Sequence, residues 1–379
     1  MRVRTPVSEP LRVLLLGNYA PDRQESMQRF STMLEHGLAG RDIAVRTVTP
    51  PASFPGLNGS IGGKWVGYLD KFSRFPAALP ALVAWAEVVH VCDHSNAMYC
   101  NWIAERPTLV TCHDLLAVRG ARGEDTDCPA SRSGKVLQEW IVRGLRQARM
   151  IAAVSSYTLA DARRIVGRDT DIRLVLNGLN HAYQPVPVDE ARARLAGFAG
   201  ITERPYLLNV GSNLARKNRA GVLRVFAQLR QHHNIDLALV GQGMTPELEK
   251  LAEQLNVRAH IRELPGVDNR TLEALYSHAH ALLFPSRFEG FGWPIIEAQA
   301  SGCPVVCSDC GPFPEVAGTA AVIRSFTDED GMANDLRALF DPVARKCTIA
   351  AGLANAARFT RERMIDDYAA LYRELGRRA

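Results

Sequence analysis

Short apolar runs alternate with longer segments of helical periodicity along most of the chain. Leu11–Leu16, Pro107–Thr111 and Tyr206–Val210 are mostly apolar, as is typical of parallel strands buried on both faces. A polar or glycine-rich loop follows each run. Apolar residues three and four apart come next and indicate an amphipathic helix. This alternation predicts an α/β fold with parallel sheets.

The length of the chain predicts two domains, because 379 residues exceed the size of one ordinary core. Pro185 and Pro187 interrupt regular pairing after the apolar segment that ends at Leu176. We therefore place the boundary between a first domain, residues 1–183, and a second domain, residues 184–359.

The composition is that of a globular protein, with 47% hydrophobic and 22% charged residues. No apolar run reaches the length of a membrane-spanning helix, and none resembles a signal peptide before the first strand. These features predict a cytoplasmic protein. The net charge of +5 suits anionic substrates or an anionic membrane surface, and the scattered basic residues contain no nucleic-acid-binding motif.

The eight cysteines are predicted to be free thiols in this compartment. Cys303, Cys307 and Cys310 have spacings that also permit a metal site, but no further ligand pair follows at the distance of a zinc site. We favour cysteines as small core residues. Asp-x-Asp triplets occur at residues 125–127, 169–171 and 328–330. None directly follows an apolar strand, so we interpret all three as solvated loop charge.

The most informative stretch is residues 281–316. A strand, Ala281–Phe284, is followed by a loop rich in glycine and proline and by a helix, Ile295–Ala300. Glu289 lies in the loop, and Glu297 is predicted in the first turn of the helix. Free backbone N–H groups at a helix start, next to glycines that allow close approach, indicate a site for an anionic and hydroxyl-rich ligand. Such sites lie at the carboxyl ends of strands in open α/β sheets.

A second candidate element follows the strand Tyr206–Val210. Arg216 and Lys217 come between a glycine turn and the helix Arg219–Gln231. Two cations at this place predict a cradle for a diphosphate. The alternative is a solvated pair of charges.

Polar side chains also follow two strands of the first domain. Asp93 and His94 come after one strand, and His113 comes after the next. Titratable residues at the carboxyl ends of neighbouring strands predict the wall of a cleft. Each histidine, taken alone, could instead be a hydrogen-bonded structural residue.

The run Glu289-Gly-Phe-Gly-x-Pro-x-x-Glu297-Ala resembles the two-glutamate signature of the retaining, family-4 glycosyltransferases of the GT-B fold. The similarity extends through Pro285-Ser286, Gly302-x-Pro304 and Glu315-Val316. An ordinary βαβ unit with a glycine turn is the alternative, but so many fixed spacings favour the family. The resemblance implies two Rossmann-like domains that face each other across a cleft, with residues 360–379 crossing back onto the first domain.

For the donor, the resemblance implies a nucleotide-diphosphate sugar bound mainly by the second domain. Lys217 would contact the diphosphate, Glu297 the ribose, and Glu289 the sugar hydroxyls as a catalytic residue. One arginine contact found in some relatives is replaced by Ser212. The donor-binding set implied in this way is Gly17, Gly211, Ser212, Arg216, Lys217, Gly266, Val267, Gly290, Phe291, Gly292 and Glu297.

In the first domain, the resemblance makes His113 the second catalytic residue, which contacts the donor sugar near the reacting carbon. Asn18, Asp93 and His94 are the acceptor-side candidates. Many relatives carry a glycine pair where this chain has Asn18-Tyr19-Ala20, so the acceptor site is the least constrained part of the resemblance.

The implied reaction is a hexosyl transfer that retains anomeric configuration and needs neither a metal nor another cofactor. GDP-mannose is the first choice of donor, with UDP-glucose, UDP-N-acetylglucosamine and dTDP-rhamnose open. The acceptor would be a glycan or a lipid-linked sugar in polysaccharide synthesis. Two segments, Trp65–Phe75 and Lys135–Arg149, are core-facing helices or, alternatively, contact the inner face of the membrane. A sugar phosphorylase and a non-catalytic GT-B scaffold are the rival functions.

Overall fold

The computed structural model describes residues 9–22, 24–53, 66–103, 105–198 and 200–377. The chain divides into two compact units. Unit 1 consists of residues up to Arg122, of Ala130–Asn180 and of the residues from Arg361 onwards. Unit 2 consists of Gly123–Pro129 and His181–Thr360. The two units together give the α/β, two-domain GT-B fold that the sequence predicts.

Unit 1 contains a six-stranded parallel sheet with the order β2-β1-β3-β4-β5-β6. Its strands are β1 (Leu11–Leu16), β2 (Ile43–Val48), β3 (Val88–Val91), β4 (Thr108–Cys112), β5 (Met150–Ala153) and β6 (Ile172–Leu174). The helices are α1 (Glu25–Leu38), α2 (Phe75–Val83), α3 (Leu116–Ala121), α4 (Arg132–Gln147) and α5 (Ser156–Ile165). A π-helical turn, Asp70–Arg74, precedes α2, and 3-10 helix forms over His94–Trp102.

Unit 2 contains a second six-stranded parallel sheet, ordered β12-β11-β10-β7-β8-β9. Its strands are β7 (Tyr206–Gly211), β8 (Asp236–Gly241), β9 (Ile261–Leu264), β10 (Ala281–Phe284), β11 (Val305–Ser308) and β12 (Val322–Arg324). The helices are α6 (Val188–Leu195), α7 (Arg219–Arg230), α8 (Pro246–Gln254), α9 (Asn269–His278), α10 (Trp293–Ala300), α11 (Phe313–Ala317), α12 (Glu329–Ala338) and α13 (Pro342–Ala356).

Helix α14, Arg361–Arg377, belongs to unit 1 although it follows unit 2 in the chain. Tyr372 OH lies 2.7 Å from His90 Nδ1, and Tyr368 OH lies 2.9 Å from Thr111 Oγ1. Ile365 packs so closely on Gly37 that a Cβ there would lie 2.6 Å from it. The helix therefore completes the core of unit 1.

Strand register places the candidate residues of each unit at one sheet edge. In unit 1, Leu16 pairs with Val91, and Val91 pairs with Val110, so β1, β3 and β4 end side by side. In unit 2, Gly211 pairs with Gly241. The central strands are apolar and buried on both faces, and so they read in the sequence as continuous hydrophobic runs.

Several element boundaries differ from the sequence prediction. Helix α10 begins at Trp293, which puts Glu297 in the second turn and not in the first. Helix α4 begins at Arg132, because Ser131 caps it by accepting a hydrogen bond from the Gly134 N–H at 3.2 Å.

The eight cysteines are free thiols, and Cys303, Cys307 and Cys310 are buried. The described ranges contain no cluster of three or more His, Cys, Asp or Glu side chains that could hold a metal ion. Over the same ranges, no helix combines the length and the apolar character needed to cross a membrane. Trp65, the first residue of the segment Trp65–Phe75, lies outside the described residues.

Candidate active site

Two loops at the carboxyl edge of the unit-2 sheet are joined by hydrogen bonds. The Arg287 N–H donates to the Arg216 carbonyl oxygen at 2.7 Å, and Asn218 Nδ2 donates to the Pro285 carbonyl oxygen at 3.1 Å. Asn218 has a left-handed backbone, with φ at 51°, and its Oδ1 caps α7 by accepting from the Gly221 N–H. The loop after β7 and the loop after β10 therefore form one rigid surface.

A buried ion cluster lies on this surface. Glu289 accepts a hydrogen bond from Arg216 Nη1 at 2.8 Å and another from Lys217 Nζ. Burial would raise the pKa of Glu289, but the charges of Lys217 and Arg216 outweigh burial and hold that pKa below its ordinary value. Glu289 is thus an ionised carboxylate that balances two cations.

The glycine loop next to Glu289 is shaped by the packing behind it. Gly292 has φ at 103°, and a Cβ at this position would lie 2.6 Å from Phe313 Cε1. Only glycine fits this conformation and this contact. The Phe291 ring is buried against Trp293 and Phe359, so residue 291 retains only its backbone for contact with a ligand.

Glu297 lies in α10, just behind this loop, and is buried. Its Oε2 accepts a hydrogen bond from the Tyr276 hydroxyl at 3.0 Å. Burial, together with the nearby Glu297 charge, raises the pKa of Tyr276 well above its usual range. Tyr276 is therefore a fixed donor that orients the Glu297 carboxylate.

Sequence reasoning missed Arg219, which joins the two glycine turns beside the ion cluster. Its buried guanidinium donates to the carbonyl oxygens of Gly211 at 2.8 Å and Val240 at 3.2 Å, and it also donates to the Gln242 carbonyl. The turns approach so closely that a Cβ on Gly241 would lie 2.4 Å from Gly211 O. A cation in the first turn of α7 opposes the helix dipole, and that anomaly was the available signal.

The segment Gly123–Pro129 also reaches this surface, since it clusters with unit 2. Asp127 accepts a hydrogen bond from Arg287 Nη1 at 3.0 Å, and its side chain is mostly buried. The interpretation of residues 125–127 as solvated charge was therefore wrong for Asp127. The other two triplets also hold structural residues: Asp171 pairs with Arg173, and Asp328 caps α12.

In unit 1, Asp93 is the centre of a buried polar cluster after β3. Its Oδ2 accepts from Asn18 Nδ2 at 2.6 Å and from Ser95 Oγ at 2.6 Å. His94 Nδ1 lies 3.2 Å from Asp93 Oδ1, and His94 Nε2 lies 4.0 Å from Asp114 Oδ1. The register of β1, β3 and β4 brings these residues together.

The pKa values of the two histidines of this cluster are shifted in opposite directions. Burial would lower the pKa of His94, but the contact with Asp93 and the charge of Asp114 outweigh it and raise that pKa. Burial dominates at His113 and lowers its pKa, although Asp93 acts against it. His113 Nε2 donates to the Cys92 carbonyl oxygen at 2.9 Å. Asp93 and Asp114 therefore favour the charged form of His94, whereas burial favours the neutral form of His113.

The remaining candidates divide between the same two sheet edges. Gly17 follows β1, and its N–H donates to the Val48 carbonyl oxygen at 2.9 Å. Ser212 directly follows β7. Strand β9 is followed by Pro265 and then by Gly266 and Val267. Each unit thus carries its own set of candidate residues.

Two family models match the chain. The model described as "Glycosyltransferase Family 4" matches residues 27–183, and the model described as "Glycosyl transferases group 1" matches residues 196–342. A D-inositol 3-phosphate glycosyltransferase from Xylanimonas cellulosilytica is 30% identical over 72% of this chain and 68% of the relative. The chain belongs to the family-4 glycosyltransferases.

A second relative of this family-4 chain is an O-antigen chain mannosyltransferase B from Escherichia coli, 30% identical over 60% of this chain. The match spans 61% of the length of that relative, which is less than two thirds. The relationship identifies the family and leaves the activity of the whole protein to be proposed.

Solved structures share the fold of the family-4 chain. The sucrose-phosphate synthase of Thermosynechococcus elongatus superimposes with a TM-score of 0.77 at 21% identity, covering 97% of this chain and 100% of that one. HepE from Anabaena, solved in complex with UDP and glucose, gives a TM-score of 0.74 at 16% identity, covering 96% and 100%. At these identities the similarity shows the fold alone.

Proposed function

We propose that the protein transfers a hexose from a nucleotide-diphosphate sugar to a hydroxyl group of a glycan or lipid-linked acceptor in the synthesis of cell-surface polysaccharide or glycoconjugate. The observation that carries the proposal is the ion cluster of Arg216, Lys217 and Glu289. It presents two cations and a buried carboxylate at the carboxyl edge of a parallel sheet, where α/β folds bind nucleotides.

The cations suit the charge that the reaction produces. The bond from the anomeric carbon to the diphosphate breaks, a bond to the acceptor oxygen forms, and the acceptor hydroxyl loses its proton. Negative charge therefore grows on the departing nucleoside diphosphate, and Lys217 and Arg216 would stabilise it there. Both already lie within hydrogen-bonding distance of a carboxylate, so they are fixed before a second anion arrives.

Other residues of the edge would hold the rest of the donor. Glu297, oriented by Tyr276, would accept hydrogen bonds from the ribose hydroxyls. Glu289 and the backbone of residues 290–292 would bind the sugar hydroxyls. The segment Gly266-Val267 would border the base, and Gly211 and Ser212 would approach the phosphates.

GDP-mannose is the first donor to test. A mannosyltransferase of O-antigen chains is among the relatives, which supports mannose as the transferred sugar. HepE was solved with UDP and glucose, which makes UDP-glucose the strongest competitor. We further propose that transfer proceeds without a metal, because two cationic side chains are available to oppose the diphosphate charge. We also propose that transfer retains anomeric configuration, as the family resemblance implies.

The test begins with a thermal-shift panel of nucleotide sugars. A ligand at a hundred times its Kd stabilises the folded state by about 2.7 kcal/mol. The stabilising donor is then incubated with acceptor, with and without EDTA, and the anomeric proton of the product is followed by NMR. Binding with neither transfer nor donor hydrolysis would indicate a non-catalytic scaffold. An inverted product, or loss of transfer with EDTA, would contradict the mechanism.

The polar cluster of unit 1 is proposed to bind the acceptor. Asn18 Oδ1 and Asn96 Nδ2 are buried and make no hydrogen bond within the described part of the chain. Buried polar atoms of this kind are costly unless a partner satisfies them. Sugar hydroxyls, which both donate and accept, match them together with Asp93 and His94.

A lipid-linked acceptor would require contact with a membrane, and unit 1 has a suitable surface. Val136 on α4 is 71% exposed and lies beside the exposed cation Lys135. The rings of Tyr68, Phe72 and Trp140 stack in series with centroids 5.8 Å apart. Phe72 and Trp140 are partly buried against the core of unit 1, whereas Lys135, Val136 and Tyr68 are exposed. Exposed apolar and basic side chains such as these three favour the surface of an anionic bilayer.

Vesicles of phosphatidylglycerol and phosphatidylethanolamine test this contact by co-sedimentation. The substitution Val136→Glu should reduce the bound fraction several-fold. Val343→Glu is the matched control, because Val343 is 70% exposed in unit 2. Equal binding by both variants would exclude α4 from the membrane contact, and transfer to a soluble acceptor should be unchanged by either.

A further inference from the structure

A cavity of about 440 Å³ lies at the amino end of the unit-2 sheet, away from the ion cluster. Its lining includes Tyr206, the first residue of β7, and His280, which directly precedes β10. Gly211 lies at the other end of β7. Since a parallel strand rises about 3.3 Å per residue, the two ends of β7 are roughly 16 Å apart. The cavity is therefore separate from the candidate donor site.

The polar side of the cavity is rich in cations. Arg192, Arg204 and Arg345 contribute to its lining, together with a single carboxylate, Glu203. The Arg345 guanidinium donates to the carbonyl oxygens of Ala279, at 2.9 Å, and His280. Within the described ranges, Arg345 pairs with no carboxylate at salt-bridge distance. Its charge is therefore held in place but not neutralised.

Arg204 is only partly neutralised, because its partner is shared. Asp236, buried at the start of β8, lies 3.6 Å from Arg204, 3.8 Å from Arg230 and 3.9 Å from Arg262. One carboxylate thus faces three guanidinium groups. Arg204, which lines the cavity, therefore keeps part of its positive charge.

Part of the cavity lining is apolar and firmly packed. Leu195, Leu339 and Phe340 contribute to it. The Phe340 ring is stacked between His233, at a centroid distance of 3.9 Å, and His280, at 4.0 Å. A wall fixed in this way can receive the carbon body of a ligand without rearrangement.

We propose that this cavity binds a small phosphate monoester, with the phosphate on the arginine side and the carbon body against Leu339 and Phe340. The volume falls in the range of small-molecule sites, roughly 300 to 1,000 Å³, and is too small for a polymer. Guanidinium forks match the oxygens of a phosphate dianion. The site depends on neither the donor nor the reaction proposed above.

Isothermal titration calorimetry on the full chain tests the site with glucose 6-phosphate, glucose and inorganic phosphate. Glucose 6-phosphate should bind, glucose should not, and inorganic phosphate should bind at least about tenfold more weakly than the ester, because it lacks the carbon body. Arg192→Glu should weaken binding of the ester by about tenfold or more, the effect of losing a charged hydrogen bond and reversing its charge. Arg163→Glu, on the exposed face of α5 in unit 1, is the matched control and should leave binding unchanged.

Lys217→Ala distinguishes this cavity from the ion cluster. The ester should bind this variant as it binds the unmodified chain. Loss of binding in Lys217→Ala, with normal binding in Arg192→Glu, would assign the phosphate to the ion cluster and overturn the proposal. Absence of binding at about 10 mM ester, enough to saturate a site of sub-millimolar Kd, would overturn it as well.

Arg345→Met is a second variant that should abolish binding. Because Arg345 also donates hydrogen bonds to two backbone carbonyls, the melting temperature of Arg345→Met must first be compared with that of the unmodified chain. Arg192 is well exposed, so Arg192→Glu keeps the test valid if Arg345→Met fails to fold. Equal affinity for inorganic phosphate and for the ester would show that the apolar lining does not contribute to binding. That result would contradict the assignment to a monoester.

Discussion

Lys217 donates a hydrogen bond to Glu289, so that a cation from the loop after β7 is neutralised by a carboxylate from the loop after β10. A diphosphate that approaches this cluster would compete with Glu289 for the same cation. We infer that Glu289 keeps Lys217 in place and that the nucleotide then shares it.

Lys217→Ala should lower kcat as well as donor affinity, because charge on the leaving diphosphate increases towards the transition state. Steady-state kinetics with the donor identified by the panel would show both effects. Lys71→Ala is a suitable control, since Lys71 is similarly buried, at 19% exposure against 16% for Lys217, and pairs with Asp22 in unit 1. A raised KM with unchanged kcat would contradict the leaving-group role and leave only a binding role.

Glu297→Ala should weaken the binding of the sugar-free nucleoside diphosphate by roughly 1.5 to 3 kcal/mol, the range for hydrogen bonds to a charged group. Calorimetry measures this directly. Tyr276→Phe is the matched control, because it removes only the hydroxyl that orients Glu297, and it should cost about 1 kcal/mol or less. Unchanged affinity in a folded Glu297→Ala protein would exclude Glu297 from the nucleotide site.

His113→Ala should reduce transfer by about two orders of magnitude or more, the size of a lost transition-state contact. The affinity for nucleoside diphosphate should stay nearly unchanged. Since His113 is buried and donates to the Cys92 carbonyl, melting temperatures must be compared before the rates. If nucleotide affinity falls as much as the rate does, or transfer is unaffected, His94 becomes the next candidate.

The stability of unit 1 should decrease in acid because of His90. Burial and the nearby His113 lower the pKa of His90 to about 3. Between the unfolded value of about 6.5 and this value, the unfolded chain binds one more proton than the folded chain, so stability falls as pH falls. The slope from His90 should be about 1.4 kcal/mol per pH unit.

His90→Gln should remove this slope, although it also lowers stability at neutral pH by disturbing the contacts to Tyr372 and Thr111. Urea unfolding at pH 5 and pH 7 compares the two proteins. If the free energy of unfolding changes by the same amount between pH 5 and pH 7 in both proteins, His90 is not the titrating group.

Arg219→Met should weaken nucleoside diphosphate binding about tenfold or more by freeing the turns at Gly211 and Gly241, which Arg219 now holds. Arg219→Lys retains the charge but not the fork and should recover only part of the affinity. Full recovery of nucleoside diphosphate affinity in Arg219→Lys would show that the positive charge of residue 219 is sufficient and that its fork of donors is not needed to position the turns. Normal affinity in a folded Arg219→Met protein would contradict both roles.

The fold was predictable because buried parallel strands are continuous hydrophobic runs, and Leu11–Leu16 and Tyr206–Val210 both have this pattern. The two loops with Arg216, Lys217 and Glu289 were predictable for a related reason, since each directly follows such a strand. That Arg216 and Lys217 both pair with Glu289 was not predicted. The pairing depends on contact between residues 72 apart in sequence.

Arg219 and Asp127 were missed for a different physical reason. A charged residue in a helix or a polar loop is usually solvated, and composition alone predicts exposure. Both are instead buried by partners from distant segments, Arg219 by backbone carbonyls and Asp127 by Arg287. Sequence periodicity carries no information about such partners.

The placement of α14 has a consequence for the synthesis of the protein on the ribosome. His90 and Tyr372 are 282 residues apart, so unit 1 begins to emerge first and is completed last. The intervening residues 181–360, with nearly the whole of unit 2, leave the ribosome in between. Unit 1 therefore cannot complete its core until residues 361–377 have followed unit 2 out of the ribosome. The usual order, in which the amino-terminal domain folds first, does not apply to its complete core.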